Sequence, residues 1–187
     1  ARARSLCLFE LNAKQQRTYY LYQVNLRFIS FGFINKTMIK LLDHANNDTA
    51  LQIYEVFQSA YQIEANLIGV KDFPPLSRST KDIQNSTTQF YGFKEGTSLA
   101  AVVEFTLHNE TIEIDSFTVS PNYFRKGIAN KLLGYVLSQF DFTQAIVETA
   151  AANTPAINLY KKHGFVEFKR WIPSHGIPKL AMRIIKP

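Results

Sequence analysis

The chain has 187 residues, 46% of them hydrophobic and 13% aromatic, so it is long enough to bury one sizeable core. Its single cysteine, Cys7, excludes a disulfide framework and a thiolate zinc site. No apolar run reaches the roughly 18 residues of a transmembrane helix, and no secretory signal is evident, which predicts a cytoplasmic protein outside membranes.

The net charge of +6 is spread unevenly along the chain. Residues 1–37 carry six Lys or Arg and one acid, whereas residues 38–187 carry fifteen and fourteen. Net charge governs association rather than fold, and most of the chain is nearly neutral. We therefore expect no nucleic-acid partner.

Residues 1–37 are interpreted as an N-terminal extension outside the main domain. Their aromatic clusters, such as Tyr19–Tyr22 and Phe28–Ile34, show no sustained helical period. A basic arm that docks on a partner and an extra strand on a sheet edge are the alternatives.

Residues 38–187 predict a single domain of alternating strands and helices, divided by turn residues such as Pro74 and Pro75. Asp48 or Thr49 is the expected cap of the first helix. In chain order, the predicted elements are strand Met38–Leu42, helix Thr49–Tyr61, helix Thr80–Asn85, strands Phe90–Phe93, Leu99–Leu107 and Thr111–Val119, helix Asn130–Phe140, strand Ala145–Thr149, a helix after Thr154, and strands Phe165–Trp171 and Leu180–Ile185.

The two strands Leu99–Leu107 and Thr111–Val119 predict a β-hairpin. A two-residue turn at Asn109-Glu110 would put Glu104 directly opposite Asp115. Like charges in that arrangement disfavour a purely structural pair.

A turn and a helix follow this hairpin, and together they predict an anion site. The apolar face of the helix contains Ile128, Leu132, Leu133, Val136, Leu137 and Phe140. The backbone amides at its start are free to donate to a diphosphate. Gly127 allows the backbone to approach a ligand closely, and Arg125 and Lys126 add charge-assisted hydrogen bonds.

The segment Asn153–Phe165 predicts a second, short helix. Thr154 is the expected N-cap, with Pro155 in the first helical position. Gly164 ends the helix after a cationic last turn.

Together, the segments Ile114–Phe140 and Asn153–Phe165 resemble the acetyl-CoA motifs of the GNAT superfamily of N-acetyltransferases. Where that family usually has Gln or Arg before its glycine turn, this chain has Phe124, and we expect Arg125 to supply the side chain. The resemblance covers roughly Met38 to the C-terminus. It implies an α/β (α+β) GNAT fold, with a mixed, mostly antiparallel sheet of about six to seven strands and helices on both faces.

The resemblance implies how acetyl-CoA is bound. The main chain of Phe117, Thr118 and Val119 would pair with the pantetheine arm, and one amide would stabilise the developing oxyanion. As side chains, Phe117 and Val119 are expected to be core residues. The residues expected to hold the diphosphate are Arg125, Lys126, Gly127, Ile128, Ala129 and Asn130.

By the same resemblance, Asn153 contacts the cofactor and Tyr160 protonates the departing thiolate as a general acid. The alternative for Tyr160 is a packed helix tyrosine whose hydroxyl finds any convenient partner.

Glu113 is the first candidate for the base that accepts the amine proton, Glu104 is the second, and water is the third. A strict period of two puts Glu113 on the face of Phe117 and Val119, whereas one β-bulge would exchange the faces. Solvated strand carboxylates are the alternative role for both acids.

The acceptor side of a GNAT domain lies at the loop between the first two helices and at the final hairpin. Here these are residues 71–79 and 171–178, so the resemblance implies acceptor contacts for Phe73, Arg78, Trp171 and His175. Phe73 and Trp171 are equally plausible as core residues.

We therefore interpret residues 38–187 as an N-acetyltransferase domain that moves the acetyl group of acetyl-CoA directly to a primary amine on a small molecule or peptide. No cysteine is placed for a covalent intermediate, and the histidines show no spacing that predicts a metal. The alternatives are a non-catalytic CoA-binding or regulatory module and a nucleic-acid-binding protein that uses the basic leader. The acceptor stays open, as does assembly into a homodimer.

Overall fold

The structure is a computed structural model that describes residues 38–186. The interpretation of residues 1–37, including Cys7, concerns a segment outside the described residues and stays a prediction.

Seven strands and four α-helices alternate along the described residues. None of these helices combines the length and hydropathy of a membrane span. Short 3₁₀ turns occupy Pro74–Ser77 and Pro121–Tyr123. The elements are β1 (Met38–Leu41), α1 (Asn47–Ile68), α2 (Thr80–Gln84), β2 (Gln89–Glu95), β3 (Ser98–His108), β4 (Thr111–Val119), α3 (Ile128–Gln139), β5 (Gln144–Ala150), α4 (Thr154–Lys162), β6 (Val166–Trp171) and β7 (Lys179–Ile185).

All seven strands form one sheet in the order β1-β2-β3-β4-β5-β7-β6. The pair β4–β5 is parallel, and every other neighbouring pair is antiparallel. The predicted fold class, a mixed and mostly antiparallel sheet, is confirmed.

The sheet separates two apolar cores because successive residues of β3 point to opposite faces. Val102 packs with Ile53 and Phe57 of α1, whereas Val103 packs with Leu132 and Leu133 of α3. Residues Leu99–Phe105 of β3 are buried, as expected for a central strand covered on both sides. Helices therefore cover both faces.

Two predicted helix caps are wrong. The cap of α1 is Asn46, whose side chain accepts a hydrogen bond from the backbone amide of Thr49, rather than Asp48 or Thr49 itself. The cap of α4 is Asn153 rather than Thr154. In both cases an asparagine lies just upstream, and its amide oxygen reaches the free N–H three residues ahead.

The turn of the β3–β4 hairpin is as predicted. Asn109 and Glu110 both have positive φ, 46° and 57°, as a two-residue type I′ turn requires. The predicted pairing of Glu104 with Asp115 is wrong, because Glu104 pairs with Ser116 and the register shifts before Phe105. Asp115 is thus the extra residue of a β-bulge.

This bulge also decides which way Glu113 faces. Ile112, Ile114, Phe117 and Val119 all pack into the core on the α3 side. Glu113 lies between the first two of these residues, so it faces the other side of the sheet. The placement of Glu113 on the face of Phe117 and Val119, which a strict period of two predicts, is therefore wrong.

The substitution Gly92→Ala tests the packing between β2 and the α1-side core. A Cβ at Gly92 would lie 2.6 Å from Cδ1 of Leu99 and 2.8 Å from Cδ1 of Leu42, and both leucines are buried. Overpacking should lower the free energy of unfolding by about 1–3 kcal/mol, measured by urea denaturation.

Gly134→Ala in α3 is the matched control. Its Cβ would meet its nearest neighbour, Cε1 of His163, at an ordinary 3.5 Å, and alanine favours a helix over glycine by about 1 kcal/mol. This variant should be at least as stable as the parent. Equal stability of the two variants would contradict the prediction.

Candidate active site

The pairing of the parallel strands β4 and β5 ends partway along both strands, and we call the region between them beyond that point the cleft. The two strands pair over four residues each, from Thr111–Gln144 to Ile114–Val147. Beyond this point β4 continues to Val119 alongside β3, and β5 continues to Ala150 alongside β7. The facing edges of the two strands therefore offer main-chain groups to a ligand, as an exposed sheet edge does.

The chain leaving β4 forms a turn at the start of α3, and this is the turn for which the sequence predicts anion binding. Gly127 is the N-cap with φ +73°, it makes no side-chain cap bond, and a Cβ there would meet nothing within 4 Å. Arg125 also has a positive φ, 61°. The first amides of the helix lack intrahelical acceptors and lie at the positive end of its dipole.

The side chains around this turn differ in their contacts. Phe124 and Arg125 are exposed. Nζ of Lys126 lies 3.7 Å from a carboxylate oxygen of Glu95 and 4.8 Å from the ring centroid of Tyr123. Glu95 would therefore compete with a bound anion for Lys126, and the main-chain amides are the better-defined donors.

A polar cavity of about 510 Å³ adjoins the segment just before the turn. Asn122 and Tyr123 line one side of it, and Gln52 and Ser59 of α1 line another. The cavity therefore gives a ligand a route to the turn from the side of α1.

Tyr160 lies on α4, and three residues separate the end of β5 from the start of this helix. Its side chain is 4% exposed and packs against Phe165, with ring centroids 5.6 Å apart. Burial raises the pKa of the phenol, and the nearby Glu64 and Tyr61 raise it further. Tyr160 therefore stays protonated at neutral pH, in the form that can donate a proton.

Asn153 uses both ends of its side chain. Its Oδ1 accepts a hydrogen bond from the amide of Ala156 at 3.2 Å, and its Nδ2 donates to Oε1 of Glu64 at 2.8 Å. Burial raises the pKa of Glu64, while Asn153 and Lys179 oppose that rise.

Sequence reasoning missed Glu64 because the predicted helix stopped at Tyr61. The signal was available, since Phe57, Tyr61 and Glu64 share one face of α1 at helical spacing. A carboxylate that continues an apolar helix face is unusual enough to mark a site.

Glu104 is a buried carboxylate held by Arg78. The two side chains make two contacts, at 2.5 and 2.8 Å, and Thr88 donates a further hydrogen bond at 2.7 Å. The guanidinium of Arg78 also lies 5.6 Å from the ring centroids of Phe57 and Phe90. Burial opposes ionisation, but the hydrogen bonds outweigh it and lower the pKa of Glu104.

Asp115 is a further carboxylate on the hairpin, and it was not selected from the sequence as a candidate base as Glu104 and Glu113 were. It follows directly after Ile114, the last β4 residue paired with β5, so it lies where the cleft opens. Partial burial, followed by the charges of Glu104 and Glu113, raises the pKa of Asp115 to about 6. Like Glu113, Asp115 keeps much of its surface exposed to solvent. Within residues 38–186, no three His, Cys, Asp or Glu side chains are grouped to hold a metal ion.

The remaining candidates for acceptor contacts lie on different elements. Phe73 packs edge-on against Tyr61, with ring centroids 5.9 Å apart. Trp171 pairs with Lys179, which in turn pairs with Ala150 at the end of β5. His175 is exposed, and its Nδ1 accepts from the amide of Ile177 at 3.2 Å. Contact of these residues with an acceptor stays a prediction.

Comparison with known proteins identifies one family model and several relatives. The family model described as acetyltransferase (GNAT) family matches residues 50–165. The UPF0157 protein YqkA of Bacillus subtilis (strain 168) is 36% identical over 129 residues, which are 68% of this chain and 38% of that protein. The chain therefore spans well under half the length of this relative. The uncharacterized N-acetyltransferase YedL of Escherichia coli (strain K12) is 32% identical over 117 residues, 58% of this chain and 72% of that protein.

Solved structures show the same fold at low sequence identity. The ribosomal-protein-S18-alanine N-acetyltransferase of Escherichia coli matches with a TM-score of 0.63 and 19% identity, over 80% of this chain and 93% of that one. The PaiA N-acetyltransferase of Thermoplasma acidophilum, in complex with coenzyme A, matches with a TM-score of 0.64 and 15% identity, over 81% and 99%. The fold expected from the sequence motifs is confirmed.

The substitution Arg78→Met tests the ion pair with Glu104. The side chain of Glu104 is 3% exposed, and leaving it unpaired should lower the free energy of unfolding by about 3 kcal/mol at neutral pH. In the parent, the pKa of Glu104 is lower in the folded state than in the unfolded chain. Ionised Glu104 therefore stabilises the fold at pH values above the ordinary carboxylate pKa, and this stabilisation is lost as the pH falls. In the variant the hydrogen bonds and charge of Arg78 are gone, and burial is opposed mainly by the hydrogen bond from Thr88. We therefore expect a higher pKa for Glu104 and a difference in stability that grows from pH 5 to pH 7.5 in urea titrations.

The double variant Arg78→Met/Glu104→Gln is the control. It removes both charges, so it should recover part of the lost stability and show little change between the two pH values. A pH-independent loss in the single variant would contradict the prediction.

Proposed function

The chain belongs to the GNAT family of acetyltransferases, and we propose that it transfers the acetyl group of acetyl-CoA directly to a primary amine. The observation that carries the proposal is the cleft between β4 and β5, which opens after Ile114 and Val147. The anion-binding turn follows one of these strands and the helix of Tyr160 follows the other.

The residues of the cleft fit acetyl-CoA. A diphosphate needs several convergent N–H donors and positive charge, which the amides of Gly127, Ile128 and Ala129 and the side chain of Arg125 supply. The pantetheine arm carries amide groups that suit an unpaired strand edge, and residues 117–119 of β4 have such an edge. Asn130 and Asn153 complete the set of expected cofactor contacts.

The transfer needs one proton to leave the amine and one to reach sulfur. The amine nitrogen attacks the thioester carbonyl carbon, a C–N bond forms, and the C–S bond breaks to release CoA. Tyr160 gives its phenolic proton to the departing sulfur, and its raised pKa keeps that proton available at neutral pH.

Asp115 is the best candidate for the group that accepts the amine proton, directly or through water. With a pKa raised to about 6, it is ionised at neutral pH and more basic than an ordinary carboxylate. Glu113 is the second candidate, since it is exposed on the same strand. Glu104 is a weaker base than Asp115, because hydrogen bonds from Arg78 and Thr88 stabilise its ionised form and lower its pKa.

The acceptor is most simply a cationic amine. Glu113 and Asp115 put two carboxylates on either side of Ile114, where β4 and β5 stop pairing, and these would attract an ammonium group before it loses its proton. Among the structural neighbours, a chimera of the spermidine N-acetyltransferase SpeG from Vibrio cholerae shares the fold with a TM-score of 0.60.

A thiol-release assay with acetyl-CoA and a broad panel of amines tests the proposed activity. The parent should release CoA in an acceptor-dependent manner. The variant Tyr160→Phe should lower kcat by about 100-fold, within the usual contribution of a general acid, with a smaller effect on the KM for acetyl-CoA. Binding of acetyl-CoA by calorimetry without CoA release for any amine would favour the non-catalytic module instead.

The dependence of kcat/KM on pH separates the candidate bases. In the parent, kcat/KM should fall below about pH 6 as Asp115 is protonated. Asp115→Asn should lower kcat/KM and remove that acid limb, whereas Glu113→Gln should keep it. The opposite pattern in the two variants would assign the base to Glu113.

A further inference from the structure

Helix α1 presents one carboxylate to the active-site region from its buried face. The 22-residue helix buries Phe57, Tyr61 and Ala65, and Glu64 continues this face one turn after Tyr61. Ionisable side chains are seldom placed on such a face without a partner. The partner of Glu64 is Asn153, at 2.8 Å.

Asn153 joins α1 to the first turn of α4. Its Oδ1 caps α4 through the amide of Ala156, so its Nδ2 is free to point away from the helix and reach Glu64. An amide that is used at both ends holds the two helices in one relative orientation. Removing the carboxylate would therefore remove this hydrogen bond between α1 and the cap of α4.

The position of α4 in turn determines the position of the Tyr160 phenol. Tyr160 lies seven residues after Asn153, which is close to two helical turns and therefore the same face of the helix. The ring is buried against Phe165. Any rotation of α4 at its start would therefore move the phenol relative to the cleft.

We infer that Glu64 is a positioning residue that holds Asn153, and with it the first turn of α4, against α1 so that the Tyr160 phenol faces the departing sulfur. The inference rests on the proposed function. Electrostatics support it, since Glu64 contributes to the raised pKa of Tyr160 after burial. The other titratable groups that act on this cluster are Tyr61 of α1 and Lys179 of β7.

The test compares Glu64→Ala with Glu64→Gln in the full chain. Alanine removes the acceptor for Asn153, whereas the glutamine amide oxygen keeps it. Glu64→Ala should lower kcat about tenfold or more, because small misplacements of a catalytic group have effects of this size, with the KM for acetyl-CoA changed less than about twofold. Glu64→Gln should recover most of kcat.

Two controls separate positioning from a general loss of structure. Gln62→Ala alters an exposed side chain of the same helix and should leave kcat unchanged. Asn153→Ala removes both the contact with Glu64 and the cap of α4, so it should lower kcat at least as much as Glu64→Ala. The double variant should be no slower than Asn153→Ala alone, because the contact with Glu64 is already lost in that variant. Circular dichroism and urea titration would verify that each variant is folded.

A spectroscopic readout tests the same inference without turnover. 3-Fluorotyrosine introduced at position 160 should give one ¹⁹F resonance in the parent and in Glu64→Gln, and a displaced or split resonance in Glu64→Ala. The inference would be overturned if Glu64→Ala left both kcat and the ¹⁹F resonance unchanged. It would also be overturned if Glu64→Gln lowered kcat as much as Glu64→Ala does, or if the fold-losses of the two single variants multiplied in the double variant. Absence of CoA release by the parent would overturn the proposed function alone, because the ¹⁹F comparison would still report on Glu64.

Discussion

The separation of β4 from β5 after the Ile114–Val147 pair is the constraint on which the rest of the site depends. Each strand stays paired on its other side, with β3 or with β7, so the sheet tolerates the opening without losing its continuity. The exposed edges leave main-chain donors and acceptors that a ligand can satisfy. The turn to α3 and the start of α4 both follow from where these two strands end.

The β-bulge at Asp115 adapts the same strand to its chemistry. It places an extra residue at the mouth of the cleft and exchanges the faces of β4. Ser116 then lies opposite Glu104, whose charge Arg78 balances from the loop before α2. One acid is thereby held as a structural ion pair while a second has a raised pKa. The division between the two roles comes from their partners, because their side-chain chemistry is nearly the same.

The links between α1 and the two strand ends explain why a helix distant in sequence matters to the cleft. Phe57 and Tyr61 pack on the sheet beneath Arg78 and Phe73, and Glu64 reaches the cap of α4. These contacts join residues separated by up to 89 positions. Such long-range contacts rigidify the frame that holds Tyr160.

The order of the strands and helices, the turn at Gly127 and the positions of Asn153 and Tyr160 were all predictable from the sequence, because they depend on local periodicity, turn residues and motif spacing. The cap residues of α1 and α4 were missed because an asparagine just upstream of each predicted cap takes the capping role. The end of α1 was missed because the apolar pattern of the helix weakens after Tyr61. The pairing of Glu104, the face of Glu113 and the partners of Glu64 could be decided only by the tertiary structure. A single-residue bulge reverses every later side chain of a strand, and hydrogen bonds between distant segments leave no periodic signal in the chain.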